Sequence, residues 1–220
     1  MKKLIFSAFL AGLVISSFQA QEVKMNAIPY SMNFQNLFIG YKITGDNSLE
    51  ITAPGQTDLF ISPDGGYVIN KSPRLIFKPD SDFILTAKIK PEFKSKWDAG
   101  VLLIFNDPTH FAKFCFESDF KGQARVVSVV CNETADDCNS MIADKNEVFY
   151  RITGSTKGKT FGFYYSTDGK SWFPIRTFKL DKTDTITIGF SAQSPSGDGC
   201  LVDFSNIDFQ QRKADLWTGN

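Results

Sequence analysis

Nine short runs rich in Phe, Ile, Val and Thr recur along this chain, with turn signals between them. They are SLEITAP, DFILTAKIKP, AGVLLIFND, AKFCFES, ARVVSVVCN, VFYRITGS, TFGFYYS, TITIGFSAQ and CLVDFSNIDFQ. SPDGG, NDP, STDG, SPSGDG and two KG pairs punctuate them. β-Branched and aromatic residues suit a pleated, half-buried surface, and Gly, Pro, Asn and Asp suit the reversals between strands. No segment sustains a helical period over three turns. The sequence therefore predicts an all-β sandwich or barrel. No internal repeat occurs, which argues against a propeller.

Alternation assigns the faces. In KFCFES, Phe114 and Phe116 point one way, while Lys113, Cys115 and Glu117 point the other. In DFILTAKIK, Phe83, Leu85, Ala87 and Ile89 oppose Ile84, Thr86, Lys88 and Lys90. AGVLLIFND is apolar on both faces, as a strand covered on both sides must be. YYSTDGKSWFPIR, residues 164–176, approaches the Ser-x-Asp-x-Gly-x-Thr-Trp hairpin of sialidase-like propellers. It is one residue short between Asp168 and Gly169, and no sister copies occur. It reads as a turn in which Ser166 and Asp168 bond the backbone, Gly169 takes φ > 0 and Trp172 packs back on the next strand.

Lys2 and Lys3 precede the apolar stretch LIFSAFLAGLVISSF, and small residues follow near SSFQA. This is the pattern of a signal peptide over residues 1–20, cleaved after Ala20. The apolar stretch falls short of the ~20 residues a membrane span needs, so no stable membrane anchor is expected. The mature chain, 21–220, reads as one β domain exported to the periplasm or the extracellular space. Lys plus Arg and Asp plus Glu both number 24, so no basic excess points to nucleic acid. Export permits disulfides. Cys131 and Cys138 flank the polar stretch NETADD, read as a loop that a bridge would close. Cys115 and Cys200 would then pair by elimination, and buried free thiols are the alternative. Zinc is not expected, because no Cys-x-x-Cys pair occurs and His110 is the single histidine.

The order of several motifs resembles the regulation-of-enolase domain family, within the concanavalin A-like lectin/glucanase superfamily. The resemblance runs from about Met32 to Phe209. It rests on TDLF at 57–60, DFILTAKIKPEFKSKWDAGVLLIFND, KFCFES at 113–118, VVSVV at 126–130, YRI at 150–152, STDGKSW with Arg176, and GFSAQSP at 189–195. It implies a jelly-roll sandwich of two antiparallel sheets, one concave, with sugars bound or cut on the concave face. The chain departs from the pattern after VVSVV, where Asp137-Cys138-Asn139 stands in place of Asp-Trp-Ser. That removes a flat apolar plate on which a sugar would stack.

The polar residues carried by the resemblance are Asp98, Lys113, Glu117, Arg151 and Ser194. The expected arrangement is a polar floor on the concave sheet, with Trp97, Tyr150 or Trp172 as a stacking wall. The plainer alternative is a salt bridge of Glu117 with Lys113 or Arg151 that locks strand register. No cofactor is required; calcium is an alternative for the oxygen-rich SPSGDG and NETADD, though neither has the spacing of a known calcium loop. No Gly-x-Ser-x-Gly elbow or phosphate-cradling glycine loop occurs. For glycoside hydrolysis, Glu117-Ser118-Asp119 gives one spacing of the laminarinase-like Glu-x-Asp-x-x-Glu, but the third position is Gly122. The expected function is thus a non-catalytic, secreted carbohydrate-binding or accessory protein whose ligand is an oligosaccharide or polysaccharide. The rivals are a glycoside hydrolase using Glu117 and an exported protein-interaction domain without a small ligand.

Overall fold

A computed structural model describes residues 22–155, 157 and 159–220. The expected signal peptide, 1–20, lies outside the described residues. Within them the chain forms seventeen strands and no α-helix. In chain order the first nine are β1 (Glu22–Met25), β2 (Ile28–Gln35), β3 (Gly40–Gly45), β4 (Ser48–Pro54), β5 (Leu59–Ile61), β6 (Val68–Asn70), β7 (Arg74–Phe77), β8 (Phe83–Pro91) and β9 (Ala99–Asp107). The rest are β10 (His110–Ser118), β11 (Ala124–Asn132), β12 (Thr134–Ile142), β13 (Val148–Ser155), β14 (Thr160–Ser166), β15 (Phe173–Lys179), β16 (Thr187–Gln193) and β17 (Gly199–Gln210).

Two large antiparallel sheets result. The front sheet has eight strands in the order β1-β2-β7-β16-β9-β10-β11-β12, and the back sheet seven, β15-β14-β13-β8-β17-β4-β3. The nine apolar runs all lie in these sheets, so the fold is the expected all-β sandwich. Alternation explains how the sheets meet. Phe114 and Phe116 of β10 turn inward, as do Phe83, Leu85, Ala87 and Ile89 of β8. Phe114 stacks between Tyr150, 3.6 Å away, and Phe163, 4.8 Å away, joining one sheet to the other. Gly100 gives β9 room there: a β-carbon would meet Ile89 at 2.5 Å and Val202 at 2.6 Å, both side chains from the back sheet.

A second apolar cluster lies on the other side of the front sheet. Val101, Leu103 and Phe105 of β9, Phe111 and Cys115 of β10, and Val127, Val129 and Cys131 of β11 form it with Leu59. The β5–β6 hairpin lies over these residues, with Phe60 and Ile61 packed against them. This explains why β9 is apolar on both faces: one face meets the core and the other meets the hairpin.

Four sequence expectations require correction here. NETADD is not a loop, because β12 begins at Thr134 and runs along β11. Cys131 lies opposite Ala135 and Cys138 opposite Ser128, so the two thiols stand three register positions apart and on opposite faces of the sheet. No disulfide joins them, and all four cysteines are free thiols. Cys115 is on the outer side of the front sheet and Cys200 belongs to the core, so the second expected pair is also unmade. Tyr150 is likewise no stacking wall. It is fully buried, and its hydroxyl donates to the Cys115 carbonyl at 2.8 Å.

Candidate functional site

The outer residues of β10 enter a cleft of about 440 Å³ on the outer face of the front sheet. Lys113 and Glu117 form its floor with Gln193, Val127 and Val129, and Asp137 and Asn139 of β12 form one side. The β5–β6 hairpin supplies Phe60 and Tyr67. Trp97 stands near the Glu117 end of β10, because its backbone N–H donates to the Ser118 carbonyl at 2.6 Å. Lys113 and Glu117 share the floor because they lie four residues apart on one strand.

Lys113 is buried but not unpaired. Its ammonium donates to Asp58 Oδ1 at 2.9 Å and to Gln193 Oε1 at 3.2 Å, and it lies 5.6 Å from the Phe60 ring centroid. Asp58 also accepts from the Leu59 N–H at 2.7 Å. Burial disfavours the ammonium charge, yet Asp58, Cys115 and Glu117 outweigh it and hold the Lys113 pKa above the usual lysine range. The ion pair fastens the hairpin to the sheet, since Asp58 immediately precedes β5.

Glu117 differs. It is 9% exposed and lines the cleft, and its carboxyl has no hydrogen-bond or salt-bridge partner among the described residues. Burial pushes its pKa up to about 8; Lys113 pulls it down, and Asp137, Asp58 and Asp119 push it further up. The Asp137 pKa is raised too, by desolvation first, with Lys113 opposing. Neither ion pair expected of Glu117 is made: Lys113 pairs with Asp58, and Arg151 lies on the other sheet.

Asp98 and Ser194, expected to contact the ligand, are buried and do not line the cleft; they brace its rim from behind. Asp98 is fully buried; its Oδ2 accepts from the Lys94 and Ser95 N–H groups at 2.9 and 2.8 Å, and its Oδ1 accepts from the Ser194 hydroxyl at 2.6 Å. With all these bonds made inward, the pair shapes the loop that carries Trp97. Trp97 itself takes φ of 64° and stays 43% exposed. A bulky aromatic in the left-handed region is uncommon and strained, and such strain gathers at ligand sites. Gln193 Nε2 reaches the Trp97 carbonyl at 3.5 Å, linking rim to floor.

Asp119, the second acid of the Glu-Ser-Asp stretch, is a turn clamp. It accepts from the Lys121 and Gln123 N–H groups at 2.8 and 2.9 Å and from the Arg125 guanidinium at 2.9 Å. Arg125, directly across from Glu117 in the ladder, is thus turned to Asp119.

Arg151 and Trp172 lie outside this cleft. They stack at 4.0 Å on the outer face of the back sheet, where Arg151 also donates to the Gly219 carbonyl at 2.8 Å and to Asn220 Oδ1 at 2.9 Å. The expected single polar floor is therefore divided between two sheets. The STDG turn holds Trp172 there as the sequence implies. Gly169, with φ of 72°, and Asp168 both donate their N–H groups to Ser166 Oγ, and Asp168 Oδ1 accepts from Lys170 and Ser171 at 2.8 Å.

The departure at Asp137-Cys138-Asn139 also changes meaning. Cys138 shares a face with Ser128, whose hydroxyl is buried on the core side, so its side chain points away from the cleft. Asp137 and Asn139 are the residues that face it. Sequence reasoning did not assign roles to Asp58, Phe60, Tyr67, Asp137, Asn139 or Gln193. TDLF and GFSAQSP contained three of them, as parts of the motif order.

A family model described as a protein of unknown function, DUF1349, matches residues 40–212. The chain belongs to the DUF1349 family. No curated protein matches it. Among solved structures, a functionally unknown protein from Saccharomyces cerevisiae is similar with a TM-score of 0.75 and 18% identity, covering 83% of this chain and 97% of that one. The GH43 BlXynB protein from Bacillus licheniformis is similar with a TM-score of 0.64 and 14% identity, over 82% of this chain and 37% of that one. A xylan beta-1,4-xylosidase from Bacillus halodurans follows the same pattern: TM-score 0.60, 13% identity, 73% of this chain and 32% of that one. At these identities the likeness establishes the sandwich fold that DUF1349 residues adopt here, and the glycosidases are matched over about a third of their length.

Proposed function

We propose that the protein binds an oligosaccharide or polysaccharide in the front-sheet cleft, as an exported, non-catalytic carbohydrate-binding or accessory protein. One observation carries the reading. An exposed Trp97, held in a strained backbone conformation, stands beside a polar floor whose far end meets Phe60 and Tyr67. Sugars are recognised by that pairing, with C–H faces against rings and hydroxyls against charged groups. A xylosidase that contains a sandwich of this fold supports a carbohydrate context. Export rests on the sequence of residues 1–20, and kinship to the regulation-of-enolase family rests on the motif order; both are part of the proposal. A glycan array followed by calorimetry tests it. The mature chain binds at least one glycan class, Trp97→Ala weakens that binding about tenfold, and Arg151→Ala leaves it unchanged. A chain that binds no glycan, or a Trp97→Ala variant that binds as well, overturns it.

One observation favours a second reading, glycoside hydrolysis. Burial raises the Glu117 pKa to about 8, the direction a general acid requires, and Asp137 is a second carboxyl on the same cleft. Release of reducing sugar from a bound glycan, abolished in Glu117→Gln, would replace binding by hydrolysis.

A further inference from the structure

The front cleft contains three carboxyl groups and one cation. Asp58, Glu117 and Asp137 line it, and Lys113 is the only lysine or arginine among its lining residues. That lysine is already committed to Asp58 and Gln193. Lys113 also illustrates how this cleft accepts a cation: a carboxylate on one side, an amide oxygen on another, and an aromatic ring 5.6 Å away. Glu117 lines the same cleft without a cation of its own. It is 9% exposed and unpartnered, and shares the cleft with Trp97 and Asp137.

We propose that Glu117, with Asp137, is the seat for an ammonium group on the ligand, and that the glycan bound in this cleft is an amino sugar with a free amine. This rests on the glycan-binding reading and names its substrate class. The amine donates to the Glu117 carboxylate in a charge-assisted hydrogen bond. Asp137, at the edge strand, adds a second negative charge, and the Trp97 ring offers its face to the sugar. An acidic sugar meets the opposite field and is excluded. Among the described residues no three acidic, His or Cys groups gather closely enough to hold a metal ion.

Proton linkage gives the site a signature. The groups facing Glu117 are Lys113 on its own strand, Asp58 before the hairpin, Asp137 on β12, and Asp119, which is neutralised by Arg125. Because the empty site holds a proton on Glu117, seating an ammonium expels it. Affinity for the amine therefore rises with pH towards the Glu117 pKa of about 8, by at most about tenfold per unit, for as long as the amine keeps its own proton.

Calorimetry on the mature chain with β-1,4-linked trimers of glucosamine, N-acetylglucosamine and glucose, and with a uronic acid trimer, tests this. The glucosamine trimer binds roughly tenfold or more tightly than the two neutral trimers, and the uronic acid trimer binds weakest. Glu117→Gln removes the preference of glucosamine over the neutral trimers, and Asp137→Asn reduces it. If neutral trimers bind as well as glucosamine in the wild-type chain, the amine seat is wrong and the glycan cleft stands. If no trimer and no glycan on an array binds, the cleft reading fails and this inference with it. A uronic acid trimer that binds best reverses the assigned field and sinks the proposal, even if Glu117→Gln does not fold.

Discussion

On the front sheet the Lys113 ammonium lies 5.6 Å from the Phe60 ring, and on the back sheet the Arg151 guanidinium lies 4.0 Å over Trp172. Both are cations on strands, next to aromatic rings, facing away from the core. Their fates differ because different things cover them. The front face is roofed by the β5–β6 hairpin, so Lys113 is buried and must be matched by Asp58. The back face is covered by the chain's own C-terminal residues, whose Gly219 carbonyl and Asn220 side chain satisfy Arg151. One face keeps an open cleft with an unpaired carboxyl in it; the other is occupied by its own tail. Charge on a strand therefore offers a candidate site here only where its cover leaves it facing an open cleft without a protein partner.

The sharpest way to break this comparison is to remove each cation. Lys113→Met leaves Asp58 buried without its partner, and should cost about 3–5 kcal/mol in urea unfolding. Adding Asp58→Leu should restore most of that loss, because replacing both partners by apolar groups is often neutral. A single variant that unfolds at the wild-type midpoint would mean the hairpin does not depend on the pair.

Glu117 sharpens the comparison next. Its folded pKa, about 8, lies above the ordinary glutamate value of 4.5. Between these values the native state holds a proton that the unfolded chain has released. Stability therefore falls as pH rises through this window, by at most about 1.4 kcal/mol per unit. Below the window the carboxyl is protonated in both states and the loss is absent. Glu117→Gln should flatten this slope and gain about 2–4 kcal/mol near pH 8. Unfolding curves at several pH values check it, and an unchanged slope would place the titration elsewhere.

The strands were legible because alternation writes burial directly into sequence. Phe114 and Phe116 against Lys113 and Glu117 predict two faces, and the structure has them. Alternation gives the face of a strand but not the sheet to which it belongs. Arg151 and Glu117 look equivalent along the chain, yet they end on opposite sides of the sandwich. β12 was illegible for another reason. TADDCNSMI lacks an apolar face, and it is a strand because β11 offers it an edge. The cysteine prediction failed with it, since a loop would have let Cys131 and Cys138 meet and a ladder keeps them apart. Lys113's partners lie 55 and 80 residues away, at Asp58 and Gln193, where no local pattern marks them. Trp97 was expected as a stacking residue, but its backbone was not: a left-handed residue is expected to be Gly or Asn, and nothing in SKWDAG announces that conformation.

The smallest effect belongs to the back face. Arg151→Ala removes the stacking on Trp172 and two bonds to the C-terminal residues, all in a half-exposed setting. Contacts of this kind contribute about 0.5–1 kcal/mol, so the urea midpoint should move only slightly. The consequence should be local. Tyr164 still donates to the Leu216 carbonyl at 2.6 Å, so residues up to there stay docked while Gly219 and Asn220 loosen. Hydrogen exchange should quicken at the Gly219 N–H, which donates to the Asp215 carbonyl at 2.8 Å, and leave β10 unchanged. A loss from Arg151→Ala as large as that from Lys113→Met would show that the two faces are not different after all. It would also mean that the tail, rather than the hairpin, is the cover on which the sandwich depends.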